Sequence, residues 1–285
     1  MLTAMRPRTV IFIGNFFFSL FIALITYILL PYLSSFMPSA YTGLVISGGA
    51  LVAVIFFPFM PKLVERYGAQ RLVLVFATLE MFALLALATS PSPLTGILLV
   101  AVAIALQPFM AYELDILLET TVAEENTTGR VRAIFLTAWN IAALAAPLLV
   151  GALLASSEAY GHVFLTSAIA LVPFIVLLTV RDLPRGVPPK LSNIWNTLLC
   201  IMRDRDLFAV TFGHLLLYTF YVWAPFYTPI YLHTELGIPW SDLGWVFSIM
   251  LLPYVLIQYP AGLLADRVFG DKELMFAGFV VAGLS

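Results

Sequence analysis

The sequence predicts an all-α membrane protein made of two similar helical bundles, the first with six helices and the second incomplete. Three observations predict it. Hydrophobic residues make up 62% of the chain and charged residues 11%, with a mean hydropathy of +1.01. An ordinary soluble domain is about 45–50% apolar and about 25% charged, so lipid must be the solvent for much of this surface. The basic residues are confined to alternate loops. A short loop sequence occurs twice, each time between two apolar segments.

A spanning helix needs roughly 20 apolar residues. Span 1, over 10–36, follows Arg6 and Arg8 and lacks a small-residue cleavage pattern, so it reads as a retained helix. Pro38-Ser39 turns the chain into span 2 (41–60). Span 3 (72–90) closes at Ser90-Pro91-Ser92-Pro93, which opens span 4 (94–118). Spans 5 (133–155) and 6 (162–180) complete a first bundle over residues 1–180. Residues 181–206 form the one long polar stretch, a linker marked by Pro184, Pro188 and Pro189. Within it Ile194, Leu198, Ile201 and Met202 recur at helical spacing, which predicts an amphipathic helix at the membrane surface. Span 7 (207–232), the turn Gly237-Ile238-Pro239, span 8 (243–261) and a ninth segment from near residue 273 form a partial second bundle, 207–285.

All 14 Lys and Arg fall on one side of this arrangement: Arg6, Arg8, Lys62, Arg66, Arg71, Arg130, Arg132, Arg181, Arg185, Lys190, Arg203, Arg205, Arg267 and Lys272. The opposite loops carry Glu158, Glu235 and Asp242 and no Lys or Arg. The positive-inside rule predicts a cytoplasmic N-terminus and linker. The net charge of −2 adds little, because its placement decides topology. A single cysteine, Cys200, excludes an intrachain disulfide and a multi-cysteine metal site. No phosphate-binding glycine loop, metal-spaced histidine cluster or nucleophile elbow occurs, so no enzyme activity, cofactor, metal or nucleic-acid partner is expected.

The repeated loop reads Pro61-Lys62-Leu63-Val64-Glu65-Arg66-Tyr67-Gly68 and then Gly262-Leu263-Leu264-Ala265-Asp266-Arg267-Val268-Phe269-Gly270. One constant offset pairs Leu63 with Leu264, Glu65 with Asp266 and Arg66 with Arg267. It also pairs Gly43, Val45 and Ser47 with Gly244, Val246 and Ser248. Over its whole length the chain resembles the major facilitator superfamily, whose signature loop is Gly-x-Leu-Ala-Asp-Arg-x-Gly-Arg-Lys. Gly262, Leu264, Ala265, Asp266 and Arg267 match it, with one extra residue before Gly270. In the first copy Pro61 replaces the first glycine, Glu65 replaces the aspartate and Ala69-Gln70-Arg71 replaces the basic pair. The resemblance implies a secondary active transporter working by alternating access. It also implies a gate at the cytoplasmic side formed by Glu65, Arg66, Gly68, Arg71, Glu119, Gly262, Asp266, Arg267 and Gly270. Span 5 carries a fainter likeness to the superfamily's drug–proton antiporters, whose Gly-x-x-x-Gly-Pro-x-x-Gly-Gly corresponds to Ala142, Ala146, Pro147, Val150 and Gly151. It favours efflux.

Ionisable groups inside a membrane are costly and point to function. Glu80 lies mid-span 3, and Glu113 and Asp115 in the inner half of span 4. Asp115 and Glu119, four apart, share a helix face and are expected to pair with Arg66 or Arg71. Glu113 points elsewhere and is the first candidate for proton coupling. The competing reading makes it a third member of the charge cluster. Glu80, beside Phe76, Ala77, Ala83 and Leu84, is expected to face protein, as a second proton-coupling candidate or as a protonated structural carboxyl; Asp115 is a third candidate. Polar groups for a substrate cavity come from Asn15, Tyr27, Gln107, Tyr112, Asn140, His214, Tyr218 and Tyr221, the last three on one helical face. No Lys or Arg lies within a span, which favours neutral or cationic solutes.

The expected protein is thus an integral multi-pass protein of the plasma (cell inner) membrane, with lipid, a small-molecule substrate and protons as partners. A transport-inactive sensor or scaffold on the same fold is the alternative. A polytopic enzyme acting on lipid-linked substrates fits less well, because the outer loops are short. Two such repeats imply about 400 residues and twelve helices. The chain stops within the ninth, so a C-terminally truncated fragment is expected.

Overall fold

The computed structural model describes residues 6–89, 91–121, 128–156, 159–184, 186, 194–267 and 271–284. Among them the secondary structure is helical, without strands. The helices are α1 (Pro7–Thr26), α2 (Leu29–Ser34), α3 (Ser39–Phe56), α4 (Met60–Tyr67), α5 (Ala69–Ala88), α6 (Pro93–Glu119), α7 (Thr128–Leu154), α8 (Tyr160–Val180), α9 (Ile194–Arg203), α10 (Arg205–Ile230), α11 (Trp240–Arg267) and α12 (Asp271–Leu284). Helix is the form that satisfies every backbone N–H and C=O within one segment, as a bilayer requires. Buried and half-buried hydroxyls are met the same way: those of Ser19, Thr26, Thr78, Thr137 and Ser167 donate to the carbonyl four residues earlier.

Eight helical stretches among the described residues are long and apolar enough to cross a membrane: Pro7–Ser34, Ser39–Tyr67, Ala69–Ala88, Pro93–Glu119, Val131–Leu154, Tyr160–Val180, Arg205–Glu235 and Trp240–Ile257. They correspond to the eight expected spans, and α12 to the start of the ninth. Three expectations need correction, and proline explains two. Span 1 is broken into α1 and α2, because Pro31 has no N–H for the Tyr27 carbonyl. Span 2 does not end at residue 60. Pro58 and Pro61 tighten it to a 3-10 turn over Phe57–Phe59, and it resumes as α4. The first signature loop is therefore largely helical, and the turn is reduced to Gly68, whose φ of +84° suits glycine. Third, α11 continues beyond residue 261 through the second copy to Arg267.

The first bundle packs α1 against α7 and α8, α5 against α6 and α8, and α3 against α6. Its centre holds Phe18 among Phe21, Trp139 and Phe174, with ring centroids 5.5, 6.3 and 5.8 Å away. We call the end bearing Arg6 and the α6–α7 connection the basic face, and the other the far face. Near the basic face Arg8 donates to the Thr121 carbonyl. There too the Gln70 amide clamps the end of α8: its Nε2 donates to the carbonyls of Leu178 (2.6 Å) and Arg181 (2.7 Å), and its Oε1 accepts from the Leu183 N–H (2.9 Å). These carbonyls are among those that a helix end leaves without partners. The amphipathic helix expected within 181–206 is α9.

Candidate functional site

Two features of the fold bear on function: the seam where α11 and α10 meet the first bundle, and the carboxyl groups inside that bundle. The seam is built from small residues and rings. A Cβ on Gly244 would lie 2.7 Å from the Pro147 carbonyl oxygen, and one on Gly151 would lie 2.7 Å from that of Trp240. Glycine at both positions therefore sets how closely α7 and α11 approach. Deeper in the seam Ser248 Oγ donates to the Leu144 carbonyl at 2.8 Å, and Phe247 packs against Tyr27, the rings tilted by 39° with centroids 5.2 Å apart. Toward the far face Tyr160 of α8 meets Trp240 edge-on at 6.5 Å. His233, its ring nitrogen 2.9 Å from the Ile238 carbonyl, packs against the same indole with the rings tilted by 38°. Tyr227 of α10 reaches over Gly43 of α3.

Inside the first bundle Glu113 (α6) and Glu80 (α5) are each 0% exposed, and none of their four carboxyl oxygens has a hydrogen-bond partner among the described residues. Gln107 is the polar group that faces Glu80, near enough to interact yet short of hydrogen-bond geometry. An unpaired ionised carboxylate in such a place costs several kcal/mol. Glu80 has the protein-facing position its small neighbours predict.

Asp115 differs, although it is two residues from Glu113. It is half-exposed and bonded to Arg132 of α7, whose Nη2 is 3.2 Å from both carboxylate oxygens. This corrects the expected pairing with Arg66 or Arg71. Successive positions on α6 turn Asp115 toward α7, while Arg66 and Arg71 belong to the α4–α5 corner. Glu65, Arg66, Arg71 and Glu119 are all exposed, and the Arg66 guanidinium lies over the Tyr67 ring at 5.3 Å. Gly262, Asp266 and Arg267 lie in the last turns of α11 with their side chains outside the described set. Gly270 lies outside the described residues.

The cavity candidates separate. Asn15, 1% exposed, donates its Nδ2–H to the Phe135 carbonyl at 2.8 Å and so ties α1 to α7. Tyr27 belongs to the seam. Gln107 and Tyr112 are half-buried, each with a side-chain polar atom lacking a partner, and the Tyr112 ring packs on Phe57 at 5.2 Å. Asn140 is half-buried on α7. His214 and Tyr218 are exposed and share a face of α10, their rings 5.0 Å apart; the Tyr221 side chain lies outside the described set. Asn15 and His214, matched by the repeat, thus occupy unlike surroundings. Sequence reasoning missed Arg132, Gln70, Phe247 and the partners across the seam. Of these, only the span 5 small residues carried a signal.

A family model of the Major Facilitator Superfamily matches residues 11–240 and residues 210–285. The chain belongs to the Major Facilitator Superfamily, with that family's membrane fold, and is a transporter of small molecules embedded in the lipid bilayer. No curated protein matches the chain.

Proposed function

We propose that the chain is a secondary active transporter of a small neutral or cationic solute, coupled to protons through Glu113 and Glu80, with efflux the favoured direction. The bundles 1–180 and 207–285, joined by 181–206, rock about the seam to expose the solute alternately to the two sides. The N-terminus and the basic face lie in the cytoplasm of a plasma or cell inner membrane. Glu65, Arg66, Gly68, Arg71 and Glu119, with Gly262, Asp266, Arg267 and Gly270, form the cytoplasmic gate. Gln107, Tyr112, Asn140, His214, Tyr218 and Tyr221 line the solute path.

The observation that carries proton coupling is the pair of fully buried, partnerless carboxyls at Glu113 and Glu80. Such a group changes its charge only together with its surroundings, which is what coupling a proton to a conformational step demands. Asp115 serves coupling less well, because Arg132 neutralises it. The absence of Lys and Arg from the interior of the spans supports cationic and neutral solutes over anions. The test uses proteoliposomes with an internal pH dye and ethidium and a hexose as solute probes. Glu113→Gln and Glu80→Gln are expected to retain insertion and lose solute-driven proton movement. Unchanged coupling in both variants would overturn the proton assignment.

A further inference from the structure

The far-face end of α10 borders a cavity of about 430 Å³ that lies outside the solute path through Gln107 and His214. Ser39, at the start of α3, lines one side. Tyr227, Thr228, Tyr231, Thr234 and Glu235 line the other. The helix is irregular here. Pro229 has no N–H for the Pro225 carbonyl, and just beyond it the turn over Tyr231–Glu235 widens by one residue, so that the Leu236 N–H reaches the Tyr231 carbonyl at 3.4 Å. Tyr227 and Tyr231, four apart, share a helix face. A wider turn rotates less per residue. Glu235, four residues further on, therefore comes back over the two rings instead of drifting round the helix.

Tyr227 is positioned from the first bundle. Its hydroxyl lies 2.7 Å from where a Cβ on Gly43 would stand, so glycine there leaves room for it across α3. Both rings keep open surface, with Tyr227 41% and Tyr231 56% exposed. Glu235 is exposed, and no described Lys or Arg pairs with it. The loops of this face carry Glu158, Glu235 and Asp242 without Lys or Arg. The end of α10 adds the negative pole of its helix dipole. This field disfavours anions. A divalent metal is poorly served too, because no group of three metal-ligating side chains occurs among the described residues. Aromatic rings beside a lone carboxylate suit a compact organic cation.

We propose that this cavity binds a small organic monocation, a quaternary or protonated amine, with its charge on Glu235 and its alkyl groups against the Tyr227 and Tyr231 rings. The Thr234 hydroxyl donates its proton to the Ile230 carbonyl (2.5 Å), which leaves its oxygen to accept from an ammonium N–H. The site joins α3 of the first bundle to α10 of the second at the far-face mouth of the seam. An exported cation would stop here last before release. For its ligand the assignment rests on the cationic-solute reading, but binding here needs no proton movement. Tyrosines that merely mark the edge of the lipid would need neither a cavity nor a carboxylate beside them.

The probes are radiolabelled choline, tetramethylammonium and dimethylbutanol, the uncharged carbon isostere of choline. Equilibrium binding is read by scintillation proximity on the full chain in dodecylmaltoside, with no proton gradient. Choline is expected to bind saturably and to be displaced by tetramethylammonium but not by dimethylbutanol. Tyr231→Leu is expected to raise the Kd about tenfold, while Tyr231→Phe, which keeps the ring, leaves it nearly unchanged. Glu235→Gln is expected to raise it several-fold, by less in high salt. An unaltered size-exclusion profile shows that each variant is folded. Three results would overturn the proposal: no saturable binding, choline affinity unchanged in both Tyr231→Leu and Glu235→Gln, or equal displacement by dimethylbutanol. Choline binding without solute-driven proton movement upholds the site and counts against the coupling reading alone. Proton movement without choline binding overturns the site alone.

Discussion

The two ends of the seam are built on opposite principles. Toward the far face the two parts of the molecule touch backbone to backbone at Gly151 and Gly244, and ring to ring at Tyr27–Phe247 and Tyr160–Trp240. At the basic face, among the described residues, polar bonds tie the first bundle to itself and to the start of the linker. Arg132 holds Asp115, Arg8 holds the end of α6, and Gln70 holds the end of α8. Glu65, Arg66 and Arg71 remain exposed there. Shape complementarity governs the far end, while the basic face presents exposed charges. Close-packed surfaces are intolerant of an added atom, whereas exposed charges exchange partners at little cost. The far end is therefore the part of the seam that an added atom disturbs most.

The strongest way to break this contrast is Gly244→Leu. Its Cβ alone would lie 2.7 Å from a backbone carbonyl oxygen, so the helices must part. Transport is expected to be nearly abolished, with insertion retained. In a Cys200→Ser background, a cysteine replacing Ser248 is expected to react faster with a membrane-impermeant maleimide added from the far face. Unchanged labelling and transport would show that the seam does not depend on fit. A smaller effect is expected at the basic face from Gln70→Ala, which removes three hydrogen bonds and leaves helix-end carbonyls unmet. The expected loss is about 1–3 kcal/mol, read as a lower Tm in detergent, with faster proteolysis of the linker. Labelling at the far face is expected to stay the same. The smallest effect belongs to Asp115→Asn. The ion pair it breaks is half-exposed, so the loss should be about 0–1 kcal/mol and should fade in high salt. A large, salt-independent loss would mark Asp115 as more than a surface partner.

What the sequence made legible follows the same division. The eight spans could be read because lipid demands long apolar segments. The fine breaks at Tyr27 and at Phe57–Phe59 could not, although Pro31, Pro58 and Pro61 were visible. A helix in a bundle absorbs a proline in several ways, and packing selects among them. Glu80 was placed inside the bundle by the size of its neighbours, a property local to one helix. Asp115 was given the wrong partner because pairing across helices depends on how each is rotated, which spacing on one helix does not encode. Asn15 was expected in a cavity and instead ties α1 to α7. A polar side chain in a span signals a need for a partner without telling whether solute or backbone supplies it. Gln70 went unnoticed because its work is visible only once α8 ends beside it.

The missing bond at Pro31 has a mechanical consequence. A continuous helix carries a push along its whole length, but a rod with one rung removed bends there first. The Tyr27 carbonyl has no proline N–H to meet, and the chain passes through Ile28 before α2 resumes. α1 below this point is gripped by α7 and α8, while α2 above it reaches α3 and α10. The tip of the first span is thus mounted on a compliant joint. It can follow the movement of its far-face neighbours while the shaft beneath it keeps its place in the core.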